Sequence, residues 1–169
     1  VSSFALGQPH GFGRSFQRTR RGLNPAAGSS YVVSLDSNYR HVLVHAVFTL
    51  TTAATVANRY TTVQYTYGDG VPAWVNAAAV VQTASSAQRY VGSKDRGTSE
   101  WNAGTDVLFP IAPMYLDGGG TFSINVASMA GADQLSAIYL TFDLYPTSDS
   151  VMPDYGSQEG WSSAPDSDG

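Results

Sequence analysis

From Tyr39 to Leu50 the even positions Val42, Val44, Ala46, Phe48 and Leu50 are all apolar, while the odd positions His41, Leu43, His45, Val47 and Thr49 are mixed. A period of two predicts a long, half-buried strand. In 60–67 the apolar face is Val63, Tyr65 and Tyr67 opposite Thr62, Gln64 and Thr66, and the run stops at the turn signal Gly68-Asp69-Gly70. Ala73–Val75 and Val80–Tyr90 read as two further strands, the second interrupted by small residues. A polar stretch, Gly92–Thr105, has no period and predicts a long surface loop. Asp106–Ile111 is a short strand bounded by Pro110 or Pro113. After Gly118-Gly119-Gly120, the run Thr121–Ser128 sets Phe122, Ile124 and Val126 against Thr121, Ser123 and Asn125. Leu135–Tyr145 then points Ile138, Leu140, Phe142 and Leu144 inward and Tyr139, Thr141 and Asp143 outward, until Pro146 ends it.

Helical periodicity is absent; Val75–Val81 tolerates a helix through its alanines but is too short to stand without packing. Strands at this spacing, each apolar on one face, predict an all-β chain: an antiparallel β-sandwich of jelly-roll or Greek-key type, with a closed barrel as the competing topology. No internal repeat points to a solenoid or propeller.

Charge divides the chain further. Residues 1–30 carry Arg14, Arg18, Arg20 and Arg21 and no acid, whereas 147–169 carry Asp149, Asp154, Glu159, Asp166 and Asp168 and no base. Both ends are too rich in Gly, Pro, Ser and Asp to build a core. The expected organisation is therefore an extended basic arm (1–30), a sandwich domain (31–146) and an acidic extended tail (147–169). Phe12 and Phe16 in the arm, with Tyr155 and Trp161 in the tail, are spaced like anchors for docking on another surface. Charged residues make up 13% of the chain, against roughly 25% in an ordinary soluble domain. So sparse a surface is poorly defended against association, which points to assembly.

Candidate chemistry is thin. There is no cysteine, which excludes disulfides, thiolate metal sites and a cysteine nucleophile together. His41 and His45 share a strand face by parity, yet lie roughly 13 Å apart, too far for a common metal. Asp69, Asp117 and Asp133 sit beside glycine or at turns, where Asp is expected for backbone reasons, and none begins a calcium-loop spacing. The expectation is a non-enzyme with no catalytic residue, cofactor or metal. No stretch is long enough to span a bilayer as a helix, and 1–6 lacks a signal-peptide pattern. Arg14, Phe16, Arg18, Arg20 and Arg21 could touch phosphate, although four charges give only weak, salt-sensitive nucleic-acid binding; a protein partner is favoured. Trp74 and Trp101 could form a sugar-stacking platform, making a glycan-binding module of a phage fibre or secreted protein the alternative.

The segments Phe48-Thr49-Leu50-Thr51-Thr52-Ala53-Ala54-Thr55-Val56-Ala57-Asn58-Arg59, Gln82-Thr83-Ala84, Tyr115-Leu116-Asp117-Gly118-Gly119 and Ala130-Gly131-Ala132-Asp133-Gln134-Leu135-Ser136-Ala137-Ile138 carry a resemblance. Across 40–146, about two thirds of the chain, it resembles small β-sandwich virion proteins of tailed bacteriophages, including head-decoration and minor head or neck components. The resemblance implies a structural role in the virion, assembled in the host cytoplasm on the major capsid protein or neighbouring virion proteins, often as a homo-oligomeric trimer or ring. A neck or connector protein touching packaged DNA is a further alternative. On this reading Phe12, Arg14, Phe16, Arg18, Arg20 and Arg21 dock the arm. Removing residues 1–22 is then expected to leave the sandwich folded while abolishing capture by the particle.

Overall fold

The computed structural model describes residues 15–94, 101–103 and 106–147, which form strands and connecting turns. The strands are β1 (Phe16–Arg21), β2 (Tyr31–Ser34), β3 (Tyr39–Thr51), β4 (Arg59–Thr66), β5 (Pro72–Gln82), β6 (Ala87–Ser93), β7 (Trp101–Ala103), β8 (Asp106–Pro110), β9 (Thr121–Ala127) and β10 (Gln134–Pro146). Two sheets face each other, ordered β1-β10-β3-β6-β8-β7 and β2-β9-β4-β5.

Setting β7 and β8 aside leaves eight strands paired like one long hairpin: β1 with β10, β2 with β9, β3 with β6 and β4 with β5, all antiparallel. The β10·β3 and β9·β4 pairings roll that hairpin up into two four-stranded layers. This is the strand order of a jelly roll, so the sandwich expectation holds in its jelly-roll form. The remaining pair extends one sheet: β8 runs parallel to β6, and β7 caps β8 antiparallel.

The core fills the space between the layers. Phe48 stacks on Tyr90 (ring centroids 5.0 Å, 7° between planes), and Phe122 meets Phe142 edge-on across the sheets at 6.1 Å. These rings are buried beside Leu50, Tyr65, Ile124, Leu135, Ile138 and Leu140, each worth about 1.5–3 kcal/mol when fully removed from water. The polar tips are satisfied: Tyr90 donates to Gln82 Oε1 (3.2 Å), Gln82 Nε2 donates to Leu50 O (2.8 Å), and Tyr65 donates to Asp117 O (2.7 Å).

Several sequence expectations need correcting. Residues 16–21 are not free arm but the edge strand β1, so a truncation at residue 22 would strip a strand from the sheet. The loop expected over 92–105 contributes the end of β6 and all of β7, and Val75–Val81 lies in strand β5. In β3 a register shift at Val44, between the His45 and Leu43 pairings with β10, reverses the inward parity. His41 and Leu43 therefore face inward with Ala46, Phe48 and Leu50, while His45 faces out. The two histidines lie on opposite faces of the sheet. A matching shift in β10 is absorbed at Ala137, whose φ is 49°, and it lets both Leu135 and Ile138 reach the core.

Gly118 marks how closely the 116–120 turn approaches the turn at 36–39. A Cβ there would lie 2.5 Å from Ser37 Cα and 2.7 Å from Tyr39 O, and closer still to Asp36 O. Backbone cannot swing aside as a side chain can, so Gly118→Ala is expected to cost about 1–3 kcal/mol or more, read as a lowered urea midpoint. Gly131, with nothing within 4 Å of its Cβ position, is the control that should tolerate alanine.

Candidate assembly surface

The two outer faces of the roll differ in charge. On the six-stranded sheet the outward positions include ion pairs: Arg89 with Asp106 (Nε to Oδ1 3.0 Å) and Lys94 with Asp143 (3.1 Å). On the four-stranded sheet, strands β2, β4, β5 and β9 contain a single charged residue, Arg59, and it is fully buried. Among the described residues, the strands of this layer therefore place no charge on its outer face. Its central row runs Val32, Ser123, Gln64, Val75 across the four strands, with Asn125 and Thr62 in the next row. Val32 (59% exposed), Val75 (52%) and Tyr60 (43%) stand open to solvent on it. An uncharged face edged by apolar side chains has none of the charges that normally keep sheets apart.

Arg59 is instead the centre of a buried clamp. Its Nε and one terminal nitrogen donate to Asp133 Oδ2 (2.9 Å) and Oδ1 (3.1 Å), and its other terminal nitrogen donates to Thr55 O and Ala57 O (both 2.8 Å). Asp133 also accepts from the N–H groups of Ala53 (2.8 Å) and Ala130 (2.7 Å). Both side chains have zero exposure. Burial by itself raises the Asp133 pKa, but the hydrogen bonds from Arg59 and the two N–H groups outweigh it and hold the carboxyl below its ordinary 3.8. The clamp ties the 52–58 connection to the 128–133 turn, which shapes one end of the roll. Sequence reading missed it, taking Asp133 only as a turn residue.

The arm residues divide. Phe12 and Arg14 lie outside the described residues, as do the tail anchors Tyr155 and Trp161. Phe16, Arg18, Arg20 and Arg21 are brought together on β1. Register sets Phe16, Arg18 and Arg20 opposite Leu144, Phe142 and Leu140, so these three face inward at the open edge between the layers. Phe16 packs edge-on against Tyr39 (5.5 Å). Arg21 faces out with its guanidinium 6.0 Å from the Tyr139 ring centre, beside the Gln17–Asp143 (3.2 Å) and Thr19–Thr141 (3.0 Å) hydrogen bonds. Arginines on an edge strand also discourage a second sheet from pairing there. Trp74 falls on β5 and Trp101 on β7, the edge strands of the four- and six-stranded sheets on the same side of the roll.

Beneath Arg18 and Arg20 lies a cleft of about 40 Å³, lined also by Leu35, Asp36, Tyr39, His41, Phe142 and Leu144. His41 is 5% exposed and its Nδ1 has no hydrogen-bond partner. Burial lowers the His41 pKa from 6.5; Asp36 and the carbonyls of Tyr39 and Leu116 pull it back up, and Arg20 pushes it down. Among the described residues no cluster of three or more His, Asp or Glu is placed to hold a metal ion, and no helix is long and apolar enough to cross a membrane.

No protein-family model matches the chain, and no curated protein matches it in sequence. Among solved structures, the T13 particle of infectious bursal disease virus is similar at 11% identity and a TM-score of 0.44, covering 86% of this chain and 36% of that one. The same virus's Gt strain gives 9% identity and 0.39 over 79% and 32%. The coat protein of Tobacco streak virus gives 11% identity and 0.32, over 91% of this chain and 99% of that one. The chain thus spans about a third of the length of the first two proteins.

Proposed function

We propose that this chain is a non-enzymatic structural component of a virus particle, seated against copies of itself or neighbouring virion proteins through the outer face of its four-stranded sheet. The observation that carries the reading is that face: the outer side of a sheet layer whose strands place no charge on it, rimmed by Val32, Tyr60 and Val75. Association there meets no charge-desolvation cost, and the layer's Ser, Thr, Asn and Gln side chains can be satisfied across an interface. Jelly rolls recur in virus capsids and in lectins, and the segments named in the sequence analysis favour the first. In its finer form the proposal makes the protein a decoration or reinforcement of a tailed-phage head, with the residues before β1, which carry Phe12 and Arg14, as an arm onto the shell.

Co-sedimentation with particles stripped of this protein tests both levels, using the full chain and a chain lacking residues 1–14, which leaves β1 in place. Stoichiometric capture of the full chain is expected, with capture of the truncated chain reduced. Capture of neither form overturns the proposal, and equal capture of both removes the arm's role. Saturable sugar binding abolished by Trp74→Ala or Trp101→Ala would instead establish the lectin-like reading.

A further inference from the structure

We propose that the cleft under β1 is the binding site for acidic side chains of the chain's own C-terminal tail, a latch that does not depend on the virion reading. Three independent observations meet there. The first is charge: Arg18 and Arg20 both face the cleft, Arg18 has no side-chain partner among the described residues, and Arg20 reaches only Ser34 O at 3.3 Å. The opposing carboxylate on the rim, Asp36, accepts through Oδ1 from the backbone N–H and side-chain amide of Asn38 (both 3.0 Å); the lining therefore sets two guanidinium charges against one carboxylate.

The second is the floor. His41 lines it, and its Nδ1 is buried without a partner, a polar atom that gains a hydrogen bond only when the cleft opens enough to admit a carboxylate. A carboxylate can accept from a protonated Nδ1 while its other oxygen meets an arginine.

The third is where the tail begins. Pro146 pairs with Tyr39, and Thr147 donates to Asn38 O from both its N–H and its hydroxyl (each 3.0 Å). Thr147, the last of the described residues, therefore lies beside the turn that forms the cleft rim. Beyond it come Asp149, Asp154 and Glu159 with no intervening base, along up to ~40 Å of extended chain. That is ample to turn back into a cleft whose lip is the tail's own root. Several weak charge contacts then add, because the tether holds the acids at high effective concentration.

Chymotrypsin cleavage of the full chain after Tyr155 and Trp161, followed by mass spectrometry, reads the latch. At low salt, release of the C-terminal fragments is expected to be about tenfold slower in the unmodified chain than in Arg18→Gln/Arg20→Gln, the population effect of closing the latch. Asp149→Asn/Asp154→Asn/Glu159→Gln should match the arginine variant, and ~0.5 M salt should remove the protection by screening it. Both arginines are exposed, so unchanged thermal unfolding will show that the variants remain folded. Equal cleavage rates in all three proteins overturn the proposal. Protection that fades on dilution at constant protease also overturns it, because the occupant is then a second copy's tail.

Discussion

Asp133→Ala is expected to lower folding stability by about 3–5 kcal/mol, because it strands a fully buried guanidinium charge. Arg59 would keep only the two carbonyl acceptors of Thr55 and Ala57, and the N–H groups of Ala53 and Ala130 would lose their acceptor as well. Against a typical total of about 5–15 kcal/mol, this brings the fold near its limit. Urea unfolding followed by far-ultraviolet circular dichroism measures it, and a loss under ~1 kcal/mol would refute the clamp's role. Arg59→Met/Asp133→Leu, which removes both charges and fills similar volume, should recover much of the loss. The pH dependence has a defined sign. Asp133 titrates lower in the folded chain than unfolded, so its stabilisation is fully present above the ordinary value of 3.8. It is lost as pH falls from there through the folded value. Asp133→Asn should flatten that acid limb.

Val75→Lys is expected to reduce particle capture by at least tenfold while leaving unfolding unchanged. Val75 is half exposed on edge strand β5, so lysine is harmless to the free subunit. Buried against an uncharged partner face, however, its ammonium loses water without gaining a counter-charge. Co-sedimentation over a concentration series measures the shift. Arg21→Gln, on the opposite layer, is the matched control: it changes one exposed charge without touching the proposed face. If Val75→Lys binds like the unmodified chain, the four-stranded face is not the contact.

The sequence announced the strands that are buried on one side only. β3, β4, β9 and β10 alternate over seven or more residues, and their inner faces supply most of the core. β1 stayed hidden because its inward positions are Arg18 and Arg20, which face a cleft open to water and so break the apolar pattern. β2 and β7, with four and three residues, are shorter than any window in which a period of two stands out. Register shifts at Val44 and Ala137 are invisible to parity counting, which assumes an unbroken pleat; parity alone therefore puts His41 on the same face as His45. Arg59 and Asp133 are 74 residues apart, each locally ordinary, and only the rolled hairpin brings them together. The uncharged face is the reverse case. Low charge was plain in the composition, but its concentration on one layer required the strand order.

The pairing of β1 with β10 joins residues as distant as Phe16 and Leu144, which has a consequence for how the chain is made. Everything from β1 through β10 must leave the ribosome before the six-stranded layer can be completed. β3, whose eventual neighbours are β10 and β6, waits with one edge unpaired throughout. Contacts this long-ranged place folding in the slow, millisecond-to-second regime of all-β domains. During that wait the open edge of β3 can pair with another nascent copy, a route to aggregation in crowded synthesis. Expression at lower temperature or lower rate should therefore raise the yield of properly rolled subunit.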